Sequence, residues 1–155
     1  MIQPPAWTGR YIGIPFRDLG RDHLGCDCFG LVRLVLREEA GIALPEYATE
    51  YGCESNVTAV RRELDAAAGS GSWERIAPGR ERTFDVAEMT VVAPGPAGFR
   101  TVPTHLGVVV APGWLLHTER TAGALLGRYR EDPSVRSRVC GFWRRAATCG
   151  RAGAG

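Results

Sequence analysis

Three side chains that together can cleave an amide bond occur at informative places in this chain, and the first is a cysteine. Cys28 lies in the run Gly-Cys-Asp-Cys-Phe-Gly at 25–30, directly before an apolar stretch with helical spacing at 31–40. This pattern predicts a thiol in the first turn of a helix, where amide N–H groups and the helix dipole favour the thiolate and lower the pKa of a cysteine. A thiolate is a nucleophile, so Cys28 is the first candidate catalytic residue.

Two of the three histidines follow the cysteine in strand-like segments. His105 opens the apolar segment 105–111, and His117 lies twelve residues further on, in segment 114–118. The Pro112-Gly113 pair between them predicts a tight hairpin that would bring both rings to one end of a sheet. A thiol nucleophile needs an imidazole to share its proton and a third polar group to orient that imidazole. Cys28, His105 and His117 can supply these three groups.

The surrounding pattern predicts one helix followed by a sheet. Asp27 is a plausible N-cap for the helix, and Gly41 followed by Pro45 ends it. A second short helix is predicted after Ser55-Asn56, and a flexible loop at 69–72. The predicted strands are 73–76, 86–92, 105–111, 114–118 and 139–143, while 7–16 is a short helix or irregular arm and 20–25 a polar connection. This order indicates an α+β fold with a mostly antiparallel sheet.

Composition limits the class of protein. The chain has 155 residues, 45% of them hydrophobic and 23% charged, which is typical of one globular domain. A net charge of +2 without a concentrated basic run argues against nucleic-acid recognition. No apolar run reaches the roughly 20 residues needed to span a bilayer, and the start of the chain has no secretion signal. We therefore expect synthesis in the cytoplasm and, with five cysteines, reduced thiols rather than a disulfide framework.

Four motifs give the chain a resemblance to a known family. They are Gly-Cys-Asp-Cys-Phe-Gly-Leu-Val at 25–32, Gly-Ile-Ala-Leu-Pro at 41–45, His-Leu-Gly-Val-Val-Val at 105–110 and Leu-Leu-His at 115–117. The pattern resembles the NlpC/P60 family of cell-wall peptidases, and is especially similar to its phage tail and gene-transfer-agent branch. The resemblance implies a circularly permuted papain-like fold over residues 1–145, with an insertion at about 46–79 and a flexible tail at 146–155.

The resemblance also implies roles for individual residues. Cys28 would be the nucleophile, His105 the general base and His117 the residue that orients the base. The implied substrate is the peptidoglycan stem peptide, commonly cut between D-γ-glutamate and diaminopimelate. The implied setting is a phage-like tail particle, with tail or hub proteins as partners. No metal and no cofactor are expected.

The chain departs from the family pattern at two positions. Phe16 stands where the family usually has a tyrosine, twelve residues before the nucleophile, so a hydroxyl is missing there. Tyr11 is a possible substitute, and Asp27, Phe16 and Tyr11 are therefore the candidate residues for substrate or oxyanion binding. The second departure is Phe84-Asp85, in place of the usual Gly-Asp pair before the first core strand.

Three alternatives remain at this point. Zinc binding by Cys26, Cys28 and His23 is disfavoured, because two cysteines one residue apart in a helix turn converge poorly on a tetrahedral ion. A structural tail-tip or hub-docking protein that keeps the peptidase fold with little catalysis is favoured by Phe16 and by the insertion. An acyltransferase or amidase would use the same thiol and imidazole chemistry on another acyl substrate.

Overall fold

One long helix packs on a six-stranded antiparallel sheet. The structure, a computed structural model, describes residues 2–44 and 71–146, with the side chains of 102 and 104 not described. The elements in chain order are a 3-10 helix at Ala6–Arg10, β1 at Arg21–Asp22, β2 at Gly25–Cys26, α1 at Cys28–Ala40, β3 at Trp73–Ile76, β4 at Val86–Gly95, β5 at Gly98–Ala111, β6 at Trp114–Glu119, β7 at Gly123–Gly127, α2 at Pro133–Arg136 and β8 at Val139–Arg145.

The ends of α1 are those that the sequence predicts. Asp27 has extended backbone and its side chain accepts a hydrogen bond from the Gly30 N–H, so it is the N-cap. Gly41 ends the helix in the left-handed conformation, with φ of 66°, and its N–H bonds to the Leu36 carbonyl. The predicted helix beginning in the Cys28 region and ending at Gly41 is confirmed.

The sheet has the strand order β3-β8-β4-β5-β6-β7, and every neighbouring pair is antiparallel. The hairpin between β5 and β6 turns at Pro112-Gly113, where Gly113 has φ of 90°. The predicted α+β class with a mostly antiparallel sheet is therefore confirmed.

The two faces of the sheet bury two different clusters. The helix face carries Val86, Val108 and Leu116, which form one rung across β4, β5 and β6 and belong to the same buried cluster as the apolar side of α1. The opposite face carries Val109 and Leu115, which pack in a second cluster with Val135 of α2 and with other buried side chains. Because successive strand residues point to opposite faces, Gly107 and its partner His117 lie on the opposite face.

The sheet differs from the sequence prediction in its extent. β5 begins at Gly98, so the prediction that His105 opens the strand is wrong and His105 lies inside it. The prolines and glycines of 94–103 favour irregular structure, yet β4 and β5 stay paired as far as Gly95 and Gly98, with a register shift between Met89 and Val91. The sequence also missed β7, the one-turn helix α2 and the small β1–β2 hairpin, which begins in the predicted polar connection at 20–25 and ends at Cys26.

Several predictions fall on residues outside the described ranges. These are the second helix after Ser55-Asn56, most of the insertion at 46–79, the first half of the loop at 69–72, and the tail beyond residue 146. Among the described residues, no helix combines the length and the apolar character that crossing a membrane requires.

Candidate active site

Asp27 organises the chain around the candidate nucleophile. Its Oδ1 accepts hydrogen bonds from the Gly30 N–H at 2.7 Å and from Arg21 Nη1 at 2.8 Å, and its Oδ2 accepts from the Leu19 N–H at 3.0 Å. The carboxylate is 1% exposed and uses both oxygens. Asp27 was a candidate for substrate or oxyanion binding, but these contacts make it the residue that positions the first turn of α1.

The third residue of α1 must be small for this arrangement to form. A β-carbon at Gly30 would lie 1.9 Å from the carbonyl oxygen of Gly20. The glycine therefore lets the loop before β1 pack directly on the first turn of the helix. This close approach explains the glycine two residues after Cys28 in physical terms.

The two cysteines of the motif have different environments. The Cys26 Sγ donates to the carbonyl oxygen of Asp22 at 3.0 Å, and burial, aided by the charge of Asp27, raises the pKa of Cys26 to about 12. Cys26 is thus held as a neutral thiol. Cys28 is the first residue of α1, carries a thiol and is 1% exposed within the helix-face cluster. Of the two, Cys28 alone lies within the helix.

His105 and His117 come together as the sequence predicts. Their ring centroids are 5.7 Å apart and the ring planes meet at 84°. His105 is 7% exposed and His117 2%. Strand pairing explains the contact, because His117 is opposite Gly107 and therefore diagonal to His105 on the same face. Close packing continues beyond the pair, since a β-carbon at Gly127 would lie 3.3 Å from His117 Nε2.

Two further residues, which the sequence analysis missed, complete this cluster. Glu119 Oε1 lies 3.3 Å from His117 Nδ1, an ion-pair distance without hydrogen-bond geometry, and accepts a hydrogen bond from Arg138 Nη1 at 2.6 Å. The contact with His117, helped by Arg138 and opposed by burial, lowers the pKa of Glu119. The period-two spacing of His117 and Glu119 on one strand was the sequence signal for Glu119. Arg138 lies on a distant segment and left no such signal.

Burial controls the charge state of His105. Desolvation, reinforced by the neighbouring His117, lowers the pKa of His105 well below its ordinary value. The imidazole is therefore neutral at pH 7 and is able to accept a proton. A general base must be unprotonated, as His105 is, but the burial that keeps the ring neutral also makes it a weaker proton acceptor than an exposed imidazole.

The two aromatic candidates lie in different places. Phe16 is half-buried, forms an isolated bridge with Cys26, and has the Arg120 guanidinium 4.9 Å from its ring centroid. It is therefore close in the fold to the nucleophile segment. The Tyr11 hydroxyl donates to Glu38 and Glu39, near the far end of α1 and about 15 Å along the helix from Cys28. Tyr11 is thus badly placed to replace the missing hydroxyl.

The zinc alternative at the motif cysteines finds no support among the described residues. His23 Nε2 lies 3.0 Å from Glu38 Oε2, and its ring stacks on Tyr11. Cys26 is bonded to a backbone carbonyl. Neither side chain belongs to a group of potential metal ligands within the described part of the chain.

The predicted catalytic set thus comes from two layers of the structure. The imidazoles and Glu119 lie on the opposite face of the sheet, and Cys28 lies in the helix-face cluster. That cluster also contains Leu106, the residue after His105. The direct contact between the Cys28 thiol and His105 remains a prediction.

Comparison with known proteins bears on the fold. No family model and no curated protein matches the chain. Among solved structures, the NlpC/p60 domain of the peptidoglycan hydrolase SagA aligns with 91% of this chain and 94% of that domain, at a TM-score of 0.54 and 16% identity. The chain has the NlpC/P60 fold.

A second structure agrees with this assignment. A lipoprotein-like protein of the NLP/P60 family from Staphylococcus aureus subsp. aureus Mu50 aligns with 87% of this chain, at a TM-score of 0.53 and 17% identity. The alignment covers 37% of that longer protein. In both cases the similarity lies in the fold.

Proposed function

We propose that the chain is a cysteine peptidase that hydrolyses stem peptides of peptidoglycan. The observation that carries the proposal is a cysteine at the start of a capped helix, in a fold shared with a peptidoglycan hydrolase domain, together with a paired His105 and His117 on the adjacent strands. Cys28 is the nucleophile, His105 the general base and His117 the residue that orients it.

The chemistry follows that of other thiol nucleophiles. The proposed reaction requires the Cys28 thiol, in the helix-face cluster, to reach His105 and give it a proton. The sulfur then attacks the amide carbonyl carbon, and N–H groups at the start of α1 stabilise the oxyanion. The protonated His105 then gives its proton to the leaving amine as the C–N bond breaks. Water, activated by the same imidazole, releases the acid product and restores the thiol.

The substrate and setting are proposed from the sequence motifs. The bond is the one between D-γ-glutamate and diaminopimelate, and the protein acts as a component of a phage-like or gene-transfer-agent tail that opens the wall locally for DNA delivery. After cytoplasmic synthesis it would be incorporated into the particle by binding to tail or hub proteins. The motif at 25–32 supports this more specific assignment.

A peptidoglycan digest with two matched cysteine variants tests the activity. Purified wild type, Cys28→Ala and Cys26→Ala are incubated with peptidoglycan fragments, and new amino termini are measured. We expect release by wild type and by Cys26→Ala, since Cys26 is a buried neutral thiol two residues from the nucleophile. Equal release by wild type and Cys28→Ala would overturn the proposal.

A second candidate is a tail-tip protein that keeps the fold with little catalysis. The observation in its favour is that Phe16 lies beside Cys26 without a hydroxyl, while the Tyr11 hydroxyl is engaged near the far end of α1. In that case wild type would release no amino termini, yet would still assemble with tail proteins. The same digest therefore separates the two candidates.

A further inference from the structure

The imidazole cluster contains buried polar atoms that the fold leaves unsatisfied. His105 Nε2 and both ring nitrogens of His117 are buried and make no hydrogen bond within the described part of the chain. A buried polar atom without a partner has lost the hydrogen bond that water would give it, and this loss destabilises the fold. Three such atoms side by side are unusual in a native structure, and with Glu119 Oε1 3.3 Å from His117 Nδ1 they form a compact group of potential ligand atoms.

The geometry of the cluster fits a small cation. Ligand atoms of His105, His117 and Glu119 all lie within 4.8 Å of one another. Ligands of a tetrahedral ion, at about 2.0–2.2 Å from the metal, lie roughly 3.5 Å apart. The observed separations are therefore close to those that one ion requires, and the two ring centroids are 5.7 Å apart.

An ion can reach the cluster from one side. His117 and Glu119 line a cavity of about 400 Å³, bordered by Trp114, Asp132 and Arg138 among others. Glu119 is about one-third exposed, whereas the imidazoles are buried. The carboxylate is thus the outer ligand and the two rings are the inner ones.

Neighbouring charges leave room for a divalent ion. The Arg138 guanidinium donates hydrogen bonds to Glu119 Oε1 and to the Thr90 carbonyl. The second oxygen of the Glu119 carboxylate can still bind an ion. Arg128, which also lines the cavity, is paired with Glu131. Asp132 adds a negative charge to the same wall.

We propose that His105, His117 and Glu119 form a zinc site. Two imidazoles and one carboxylate are a set that Zn²⁺ accepts in open sites, with water in the fourth position, whereas Mg²⁺ and Ca²⁺ prefer oxygen ligands. Zinc bound there holds the lone pair that His105 needs as a base, so it reversibly inhibits hydrolysis. The binding stands on the cluster itself, and the inhibition rests on the proposed peptidase function.

Cobalt titration tests the binding without reference to activity. Metal-free full-length protein should bind one equivalent of Co²⁺ with visible bands typical of low coordination and without thiolate charge-transfer absorption, and Zn²⁺ should displace it. His105→Gln, His117→Gln and Glu119→Gln should each weaken binding at least about tenfold. His23→Gln, the third histidine of the chain, should bind as wild type does.

The controls separate this site from the cysteines. Circular dichroism checks that each variant is folded, and the partly exposed Glu119 provides a variant if an imidazole substitution unfolds the chain. Cys28→Ser should bind Co²⁺ as wild type does. Thiolate absorption, or unchanged affinity in folded Glu119→Gln and histidine variants, would overturn the site.

Hydrolysis assays then test the inhibition. In chelator the wild type should release amino termini, one equivalent of Zn²⁺ should slow the release, and added chelator should restore it. Unchanged or faster hydrolysis with zinc bound would overturn the inhibitory role. If the chain hydrolyses nothing even in chelator, the proposed function fails, while the cobalt titration still decides the metal site.

Discussion

The first turn of α1 and the imidazole cluster satisfy their polar groups in opposite ways. Around Asp27 both carboxylate oxygens are bonded, and the Cys26 thiol has a carbonyl partner. Around His105 and His117 three buried ring nitrogens lack hydrogen bonds within the described chain. The first region is built to hold one conformation, and the second keeps polar atoms ready for a proton, a substrate or an ion at some expense of stability.

The largest expected effect tests whether the two regions act as one catalytic unit. Cys28→Ala should reduce hydrolysis at least about 10⁴-fold, and His105→Gln about 10²- to 10⁴-fold, because the thiol is the nucleophile and the imidazole its base. The double variant should be no slower than Cys28→Ala alone, as measured by release of amino termini. Multiplying losses in the double variant would mean that the two regions act independently.

The second-largest expected effect is a loss of stability when the hydrogen bonds around Asp27 are removed. Asp27→Ala removes a helix cap and leaves donors of Arg21, Leu19 and Gly30 without their carboxylate, so the free energy of unfolding should fall by about 2–4 kcal/mol. Urea unfolding measures the change. Asp132→Ala removes the exposed cap of α2 and is the matched control, for which a smaller loss is expected. Equal losses would contradict the special role of Asp27.

Acid should destabilise the protein through the imidazole cluster. The folded state lowers the pKa of His105 below 6.5, so below about pH 6.5 the unfolded chain binds a proton that the folded chain does not. Stability is then lost as pH falls, by up to about 1.4 kcal/mol per pH unit, and is unaffected by this group above pH 6.5. Glu119, whose pKa is lowered from 4.5, adds a further loss below about pH 4.5.

Urea unfolding at a series of pH values measures this slope. His105→Gln should flatten it between about pH 6.5 and about pH 5. His23→Gln, at a histidine outside the cluster, is the control. An unchanged slope in folded His105→Gln would show that His105 does not account for the acid sensitivity.

The smallest expected effect concerns Phe16, which lies beside Cys26 next to the first turn of α1. Phe16→Tyr returns the hydroxyl that the family pattern has. Hydrolysis should then rise by about two- to tenfold, which is the equivalent of one net hydrogen bond, and stability should change little. Tyr11→Phe is the control and should lower stability without changing hydrolysis, because its hydroxyl contacts Glu38 and Glu39. No rise with Phe16→Tyr would show that the missing hydroxyl is not what limits hydrolysis.

Local sequence determined much of this protein. The cap at Asp27, the stop at Gly41, the Pro112-Gly113 hairpin and the α+β class follow from short-range chemistry, because caps and turns are decided by a few neighbouring residues. The meeting of His105 and His117 was predictable for the same reason, since a hairpin fixes its own register.

Tertiary structure decided the rest. Arg138 reaches Glu119 from a distant segment, Gly20 packs against Gly30 across a loop, and the prolines and glycines of 94–103 stay paired in β4 and β5. The face of the sheet on which each side chain lies also depends on what packs there. These features need contacts between remote parts of the chain, which local propensity and spacing do not encode.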